Sequence, residues 1–304
     1  MKHSRGRAGE REDGFALLVV ISFLLISASI ATPYLAKART QALLARNQIS
    51  ETNDRLLVSA LVQLAAFQYA DLQGTFSEEL PSKVSCVLST ATTVTFTFQD
   101  HSGLVDLNAS DGALLELGFR GAGLTQAQAK AMAGEVSRFR YGPDTLPFAT
   151  NARETAVLGG YKGGSFEALA ELQDIDLPGD ISLDVLRTLF TIQSGNGTVD
   201  VDFASPRLRL VIGQLDGSEV PFLVAGSRRF PALSVTVGIE SGRQFGFGGS
   251  AVFVPVGTPL RMKLVEPVRM SRRLADEKIQ YSGDTTCPDF FTPELLEFAA
   301  ELAA

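Results

Sequence analysis

The run FALLVVISFLLISASIATPYLA, residues 15–36, follows a short charged leader that ends at Asp13-Gly14. The run carries no charged side chain and exceeds the roughly 20 residues that an α-helix needs to cross a bilayer. In an ordinary secretory signal the small residues that guide cleavage follow the apolar stretch, whereas Gly14 precedes it. Cleavage after Gly14 would keep the apolar run on the mature protein, with Phe15 as its N-terminus. The sequence therefore predicts an exported chain that stays anchored.

Two other processing routes fit the same run. Residues 28–31, Ala-Ser-Ile-Ala, could direct ordinary signal cleavage and release a soluble periplasmic protein, or the run could stay uncut as a signal anchor. Basic residues lie on both sides of the run, so they favour a cytoplasmic N-terminus only slightly. They are Lys2, Arg5, Arg7 and Arg11 before it, and Lys37, Arg39 and Arg46 after it.

Composition limits the possible functions without deciding among them. The chain has 304 residues, 45% of them hydrophobic, and a net charge of −7, which suits a large packed domain and disfavours binding to nucleic acid. The chain has two cysteines and two histidines, but none of them stand at metal-ligand spacing and His3 lies in the leader, so a zinc site is excluded. Cys86 and Cys287 either form one long-range disulfide or remain two separate buried thiols.

Hydrophobic periodicity continues the helix beyond the apolar run and then changes to a strand pattern. Leucines recur on one helical stripe up to about residue 72, with polar residues between them, which predicts that the outer half of the helix packs on a domain. Val94, Phe96 and Phe98 then alternate with threonine and glutamine, the period of a strand with one buried face. We expect that face to meet the leucine stripe.

A helical block is predicted from Ser110 to Ser194, and strands are predicted after it. Thr125 and Gln128 form a capping box, Ser165 is placed to cap a helix through Leu172, and Ser182 is placed to cap another through Phe190. The later strands are 208–215, 232–240, 244–254 and 260–265, with a tight turn at 241–242 and a short C-terminal helix at 293–302. The predicted fold class is α+β, a long N-terminal helix packed on an antiparallel sheet that carries an inserted helical domain.

One sequence pattern occurs on each side of the helical block. Residues 103–110 read GLVDLNAS and residues 197–205 read GTVDVDFAS. Each has a turn glycine, a short apolar strand and a polar end. Unrelated β-strands that follow a glycine commonly show the same alternation of apolar and polar residues. The positions that match are Gly103, Val105, Asp106 and Asn108 in the first copy, and Gly197, Val199, Asp200 and Asp202 in the second.

The leader resembles that of type IV prepilins, and the whole chain resembles the general secretion pathway protein K family of type II secretion. The family resemblance rests on the leader, the paired motifs and the segment FEALAEL followed by Leu177-Pro178-Gly179. Pilins and pseudopilins usually carry glutamate at the fifth mature position, where this chain has Val19. In that family an N-terminal helix and a pilin-type sheet carry an inserted α-domain flanked by asparagine-rich motifs. Here aspartate stands at Asp106, Asp200 and Asp202, where asparagine is usual.

The resemblance implies a non-enzymatic role. It implies cleavage after Gly14 by prepilin peptidase, methylation of the new amine on Phe15, and a single-pass position in the inner membrane with the C-terminal domain in the periplasm. Members of the family join two other minor pseudopilins in a complex at the pseudopilus tip and prime its growth. A subunit with nothing above it does not need the fifth-residue glutamate, which is the physical reason that Val19 fits a tip position.

Some members of that family bind calcium in the α-domain, so calcium is a candidate cofactor here. The oxygen ligands would come from Asp174, Asp176, Asp180 and Asp184. Their spacing does not match an EF-hand loop, and a solvated acidic face fits the same residues.

The predicted organisation has six segments. They are a prepilin leader (1–14), a transmembrane segment (15–36), the outer helix with the first strands (37–109), the inserted α-helical domain (110–194), the remaining strands (195–270) and a C-terminal tail with a short helix (271–304).

Two rival functions remain open. Residues 172–186 faintly resemble a helix-hairpin-helix, the nucleic-acid module of a DNA-uptake pilus, although their acidic side chains should repel phosphate. A membrane-anchored or secreted periplasmic hydrolase is the other rival. Any Ser-His mechanism would have to use His101, because the remaining histidine, His3, lies in the leader. We expect His101, next to Asp100 and before a turn, to lie at the surface.

Overall fold

The computed structural model describes residues 12–75, 82–89, 92–142, 162–175, 177–178, 181–215, 220–226, 231–241, 245–257 and 261–274, together with Cys287 and Phe291. The chain forms two compact units, residues 1–56 and residues 57–304. The first unit contributes a helix whose side chains are exposed from Phe15 to Thr52. The second unit contains the sheet, the inserted helices and the last turns of the long helix.

The helices are α1 (Glu12–Thr75), α2 (Gly112–Gly121), α3 (Gln126–Tyr141), α4 (Leu183–Arg187) and α5 (Pro206–Ile212), with short 3₁₀ turns at His101–Gly103 and Leu169–Asp174. The strands are β1 (Lys83–Ser89), β2 (Thr92–Asp100), β3 (Val105–Asp106), β4 (Phe190–Thr191), β5 (Val199–Asp200), β6 (Leu223–Val224), β7 (Leu233–Ser241), β8 (Phe245–Val256) and β9 (Arg261–Leu274). This mixture of a long apolar helix, an antiparallel sheet and further helices confirms the α+β prediction.

The main sheet has five antiparallel strands in the order β1-β2-β7-β8-β9. Its core face follows the predicted alternation, because Val94, Phe96 and Phe98 are buried together with alternate residues of β7. The leucine stripe of α1 closes this core, with Val58 and Leu61 fully buried. The predicted contact between helix stripe and strand face is therefore confirmed.

The helical insert is longer than predicted at both ends. Strands β2 and β7 pair directly, so the chain leaves the sheet after Asp100 and returns at Leu233. A second apolar core, separate from that of the sheet, extends from Val105 to Val211. The predicted limits, Ser110 and Ser194, therefore lie within the insert, and both copies of the sequence pattern belong to it.

The strand prediction for residues 208–215 was wrong, because helix α5 occupies most of this segment. Ser205 caps the helix by accepting a hydrogen bond from the N–H of Leu208, and Pro206 stands at the first helical position. Leu208 and Val211 point into the core, whereas Leu210 is 70% exposed. That spacing is helical, and it outweighed the β-branched composition.

The three predicted helix starts had different outcomes. The capping box of Thr125 and Gln128 is confirmed. Ser182 caps α4 as predicted, although that helix ends at Arg187 and Phe190 begins a strand. Ser165 does not cap a helix, because the next element is a 3₁₀ turn that begins at Leu169 and has Ala168 at its N-cap position. Before that turn, the side chain of Asn108 binds the N–H and the C=O of Phe166. Residues 242–244 and the predicted C-terminal helix lie outside the described part of the chain.

Candidate functional site

The apolar run forms the N-terminal part of α1, and its side chains are exposed. One helix in the described part of the chain is long and apolar enough to cross a membrane, with a mean hydropathy of 2.5 in its most apolar window. Phe15 is exposed on it, and Val19 is 52% exposed. Gly14 lies in the first turn of the same helix, and residues 1–11 are outside the described range.

The paired sequence motifs fold in the same way. In each copy a two-residue strand, β3 or β5, leads into a three-residue turn and then a capped helix, α2 or α5. Asp106 accepts a hydrogen bond from the N–H of Asn108, and Asp200 accepts one from the N–H of Asp202. Each short strand also pairs in parallel with a later segment, β4 or β6. The sequence pattern is therefore a structural repeat.

The two copies interlock through their glycines. A methyl group on Gly103 would collide with the backbone of Phe203 and Ala204 in the other copy. Conversely, a methyl group on Gly197 would lie 3.1 Å from the carbonyl oxygen of Ala109. Glycine is needed at Gly103 because the two backbones meet there, whereas at Gly197 a methyl group would require a shift of only a few tenths of an ångström.

Side chains of the motifs also hold distant segments. The second carboxylate oxygen of Asp106, which is fully buried, accepts hydrogen bonds from the hydroxyl of Ser194 at 2.9 Å and the N–H of Gly195 at 2.8 Å. Asn108 binds both backbone groups of Phe166, at 2.7 and 3.0 Å. In the second copy Asp202 accepts a hydrogen bond from the N–H of Gly226 at 2.9 Å.

The prediction that His101 lies at the surface was wrong. Its ring is buried at the seam between sheet and insert, with Nδ1 2.7 Å from the hydroxyl of Thr191 and Nε2 2.7 Å from that of Ser234. Its backbone N–H also donates to the carbonyl of Ala232, where the insert returns to the sheet. Burial lowers the pKa of the imidazole to about 4, so the ring is neutral at pH 7.

The neighbouring carboxyl group of Asp100 is buried at the same seam. Burial raises its pKa to about 6, and the carboxylate of Asp200 adds to the rise, while hydrogen bonds from Ser102 oppose it. Gln99 crosses the seam as well, donating to the carbonyl of Phe203 at 2.9 Å. Sheet and insert thus meet through a polar, buried junction.

The candidate calcium ligands gain no support from the described part of the structure. Asp176 and Asp180 lie outside the described residues. Asp184 pairs with Arg187 at 2.9 Å, and Asp174 ends a 3₁₀ turn. Among the described residues no group of three or more His, Cys, Asp or Glu side chains is placed to hold a metal ion.

Cys86 and Cys287 form a disulfide that joins strand β1 to the C-terminal tail. Both cysteines are buried in the core of the sheet, and Phe291 packs against Phe96 nearby. The bond therefore ties the tail to one edge of the sheet.

Sequence reasoning missed Thr191, Ser194 and Ser234 as partners of the motif and seam residues. Ser194 lies 88 positions from Asp106, and Ser234 lies 133 positions from His101. No local periodicity or capping pattern identifies contacts at such separations. The paired glycine motifs were the one available signal that these regions meet.

No family model matches the chain, and no curated protein matches it. Among solved structures, it is similar to a chain in the crystal structure of the GspK-GspI-GspJ complex from the enterotoxigenic Escherichia coli type 2 secretion system. The two chains are 11% identical, with a TM-score of 0.45 over 77% of this chain and 99% of that one.

Proposed function

We propose that this protein is a membrane-anchored minor pseudopilin that caps the tip of the periplasmic pseudopilus of a type II secretion machine. In this role it primes assembly together with other minor pseudopilins, after prepilin peptidase has cut the leader. The observation that carries the proposal is the N-terminal helix, in which an uncharged run follows Gly14 and has Val19 at its fifth position.

Val19 supports the tip position on energetic grounds. A carboxylate in the hydrocarbon costs roughly 2.5 to 3.5 kcal/mol unless a partner compensates it. In a filament shaft the partner is the N-terminal amine of the subunit above, and the topmost subunit has no subunit above it. An apolar side chain at this position avoids that cost.

The size of the insert also supports the proposal. It occupies the chain between β2 and β7 and carries its own apolar core around α2, α3 and α5. A head of this size on a pilin-type sheet would obstruct a further subunit above it. We infer that the insert stops stacking, so the chain ends a filament rather than repeating along it.

The burial of His101 argues against the hydrolase alternative. Nε2 of His101 lies 2.7 Å from the hydroxyl of Ser234, within reach of its proton, but the ring is buried and its other nitrogen contacts the hydroxyl of Thr191 rather than the carboxylate that would orient a catalytic histidine. Its lowered pKa also makes it a poor base at neutral pH. A serine mechanism through this histidine would require the seam to open.

Localisation tests the proposal. Copies labelled at the C-terminal tail should appear only at filament ends, and they should co-purify with other minor pseudopilins in about equal amounts, as one tip complex requires. Labels along the shaft would contradict the tip role. Intact-mass analysis should give a methylated N-terminus at Phe15, and Gly14→Leu should accumulate the precursor.

A pair of substitutions separates the tip role from simple anchoring. Val19→Glu should be neutral or harmful, because the new carboxylate lies in the membrane without an amine partner. Val20→Glu is the matched control, since it adds the same charge one residue along the same helix. A gain of assembly with Val19→Glu alone would indicate a shaft subunit.

A further inference from the structure

Strand β9 is an edge of the main sheet. It pairs with β8 on one side, and no other described strand pairs with it. An edge strand presents backbone N–H and C=O groups that a further strand can bind. Pro267 interrupts the middle of β9, so the regular free edge is the segment from Arg261 to Leu264.

A proline in β8 identifies which backbone groups of this segment are free. Met262 lies opposite Pro255, which has no N–H, so the two cannot form a hydrogen-bonded pair and must form the other kind of antiparallel pair. The two kinds alternate along a ladder. Arg261 and Lys263 therefore bond to β8, whereas Met262 and Leu264 direct their N–H and C=O groups to the free edge.

An apolar groove lies beside the same two residues. It has a volume of about 730 Å³, and its lining includes Met262 and Leu264 from β9 and Leu64 and Phe67 from α1. Phe67 is 65% exposed and Leu264 is 40% exposed, so apolar surface remains open to a ligand. A strand added at this edge would place alternate side chains in the groove.

The opposite face of the segment is basic. Arg261 and Lys263 are exposed and alternate with Met262 and Leu264 along the strand, and Arg261 also contributes to the lining of the groove. Strand β9 contains five basic residues and one acidic residue, although the whole chain has a net charge of −7. Acidic side chains on an added strand would face this basic pair.

We propose that the β9 edge from Arg261 to Leu264 binds an extended segment of a partner protein in which apolar and acidic residues alternate. The segment adds as a sixth strand, bonding to the backbone of Met262 and Leu264. Its apolar side chains enter the groove beside Phe67, and its acidic side chains pair with Arg261 and Lys263. This proposal goes beyond the tip role and does not depend on it.

A second copy of the chain fits this edge poorly. Edge-to-edge pairing of two β9 strands would bring basic side chains against basic side chains, which destabilises a cross-strand pair. The alternating pattern of groove and basic residues instead selects a strand of opposite charge.

Three peptides test the proposal on the full chain in detergent micelles. The first alternates valine with glutamate, and the second replaces glutamate with lysine. The third is the acidic peptide with N-methyl groups on its valines, the residues whose N–H groups would bond to Met262 and Leu264. We expect only the first to bind in a fluorescence titration, more weakly as salt is added. On binding, amide exchange should slow at Met262 and Leu264, while Lys263 should be protected with and without peptide.

Variants then test the contacts. Arg261→Glu combined with Lys263→Glu should weaken binding by about tenfold, because two exposed ion pairs become repulsive. Lys83→Glu, in the strand at the other edge of the sheet, is the matched control and should leave binding unchanged. Phe67→Ser should weaken binding without unfolding the protein, since its side chain is exposed. Equal binding of the lysine or the N-methylated peptide, or equal loss with Lys83→Glu, would overturn the proposal.

Discussion

The sheet and the helical insert are built by different means within one compact unit. The core of the sheet comes from alternate residues of long strands, such as Val94 and Phe96, and from the stripe of α1 that covers them. The insert has strands of only two residues and helices of 5 to 16 residues around a separate core. Its segments are joined by polar side chains, of which Asp106 and Asn108 are the clearest.

This difference follows from the hydrogen-bonding demand of buried backbone. Long antiparallel strands satisfy their own N–H and C=O groups in the ladder. A strand of two residues leaves most neighbouring groups unpaired, so turns and side chains must satisfy them. We therefore expect single polar substitutions to damage the insert more than the sheet.

Replacing Asp106 should have the largest effect. Its fully buried carboxylate accepts hydrogen bonds from the N–H groups of Asn108, Ala109 and Gly195 and from the hydroxyl of Ser194. Asp106→Ala leaves these four donors without an acceptor and should lower the free energy of unfolding by about 3 to 5 kcal/mol. Urea denaturation, followed by near-UV circular dichroism, measures the loss.

Two variants sharpen this result. Asp106→Asn keeps one acceptor oxygen and should lose less stability than Asp106→Ala. Asp202→Ala is the control from the second copy, where an exposed carboxylate accepts from Gly226, and should cost about 1 kcal/mol or less. If Asp106→Ala cost no more than Asp202→Ala, polar side chains would not be what holds the insert.

Removing the disulfide should have the next largest effect, this time in the sheet. The bond between Cys86 and Cys287 closes a loop across 201 positions, which restricts the unfolded chain. Replacing both cysteines by serine should cost about 2 to 5 kcal/mol. Reductant should lower the stability of the natural protein by a similar amount. Identical gel mobility with and without reductant, together with two titratable thiols, would show that the bond is absent.

Sequence patterns predicted the sheet better than the insert, for a physical reason. Alternation at Val94, Phe96 and Phe98 reports directly which side chains face the core, and the leucine stripe of α1 does the same at helical spacing. Capping residues also correctly predicted where two helices of the insert begin, α3 at Thr125 and α4 at Ser182. Local patterns therefore predict the long elements and the start of α4.

The short elements could not be predicted in this way. The segment of α5 has a composition that suits a strand, and only the capping pair Ser205-Pro206 indicates a helix. His101 was expected at the surface because it follows Asp100 and precedes a turn, whereas it is buried in contact with Thr191 and Ser234. Those partners come from segments 90 and 133 positions away, and the fold alone brings them together.

The smallest effect is expected at the seam between the sheet and the insert. There His101 and Asp100 should change the stability with pH in opposite directions. The folded-state pKa of His101, about 4, lies below the ordinary value of 6.5, so on acidification the unfolded chain takes up a proton that the folded chain refuses. This contribution lowers stability as the pH falls from 6.5 to 4. Asp100 acts in the opposite sense, because its folded-state pKa, about 6, lies above 3.8 and the folded chain retains its proton. Its contribution lowers stability as the pH rises from 3.8 to 6.

Because the two windows overlap, the two contributions nearly cancel in the natural protein, and single substitutions should separate them. Relative to the natural protein, Asp100→Asn should lose stability as the pH falls from 6 to 4, by about 1 kcal/mol per pH unit. Relative to the same reference, His101→Gln should gain stability over that range at a similar rate. Urea denaturation at a series of pH values measures both slopes, and taking differences from the natural protein removes the titration of groups elsewhere. The double variant should restore a nearly flat difference. If the stability of both single variants changed with pH as that of the natural protein does, neither group would be buried at the seam. The sheet and the insert would then not meet through a polar junction.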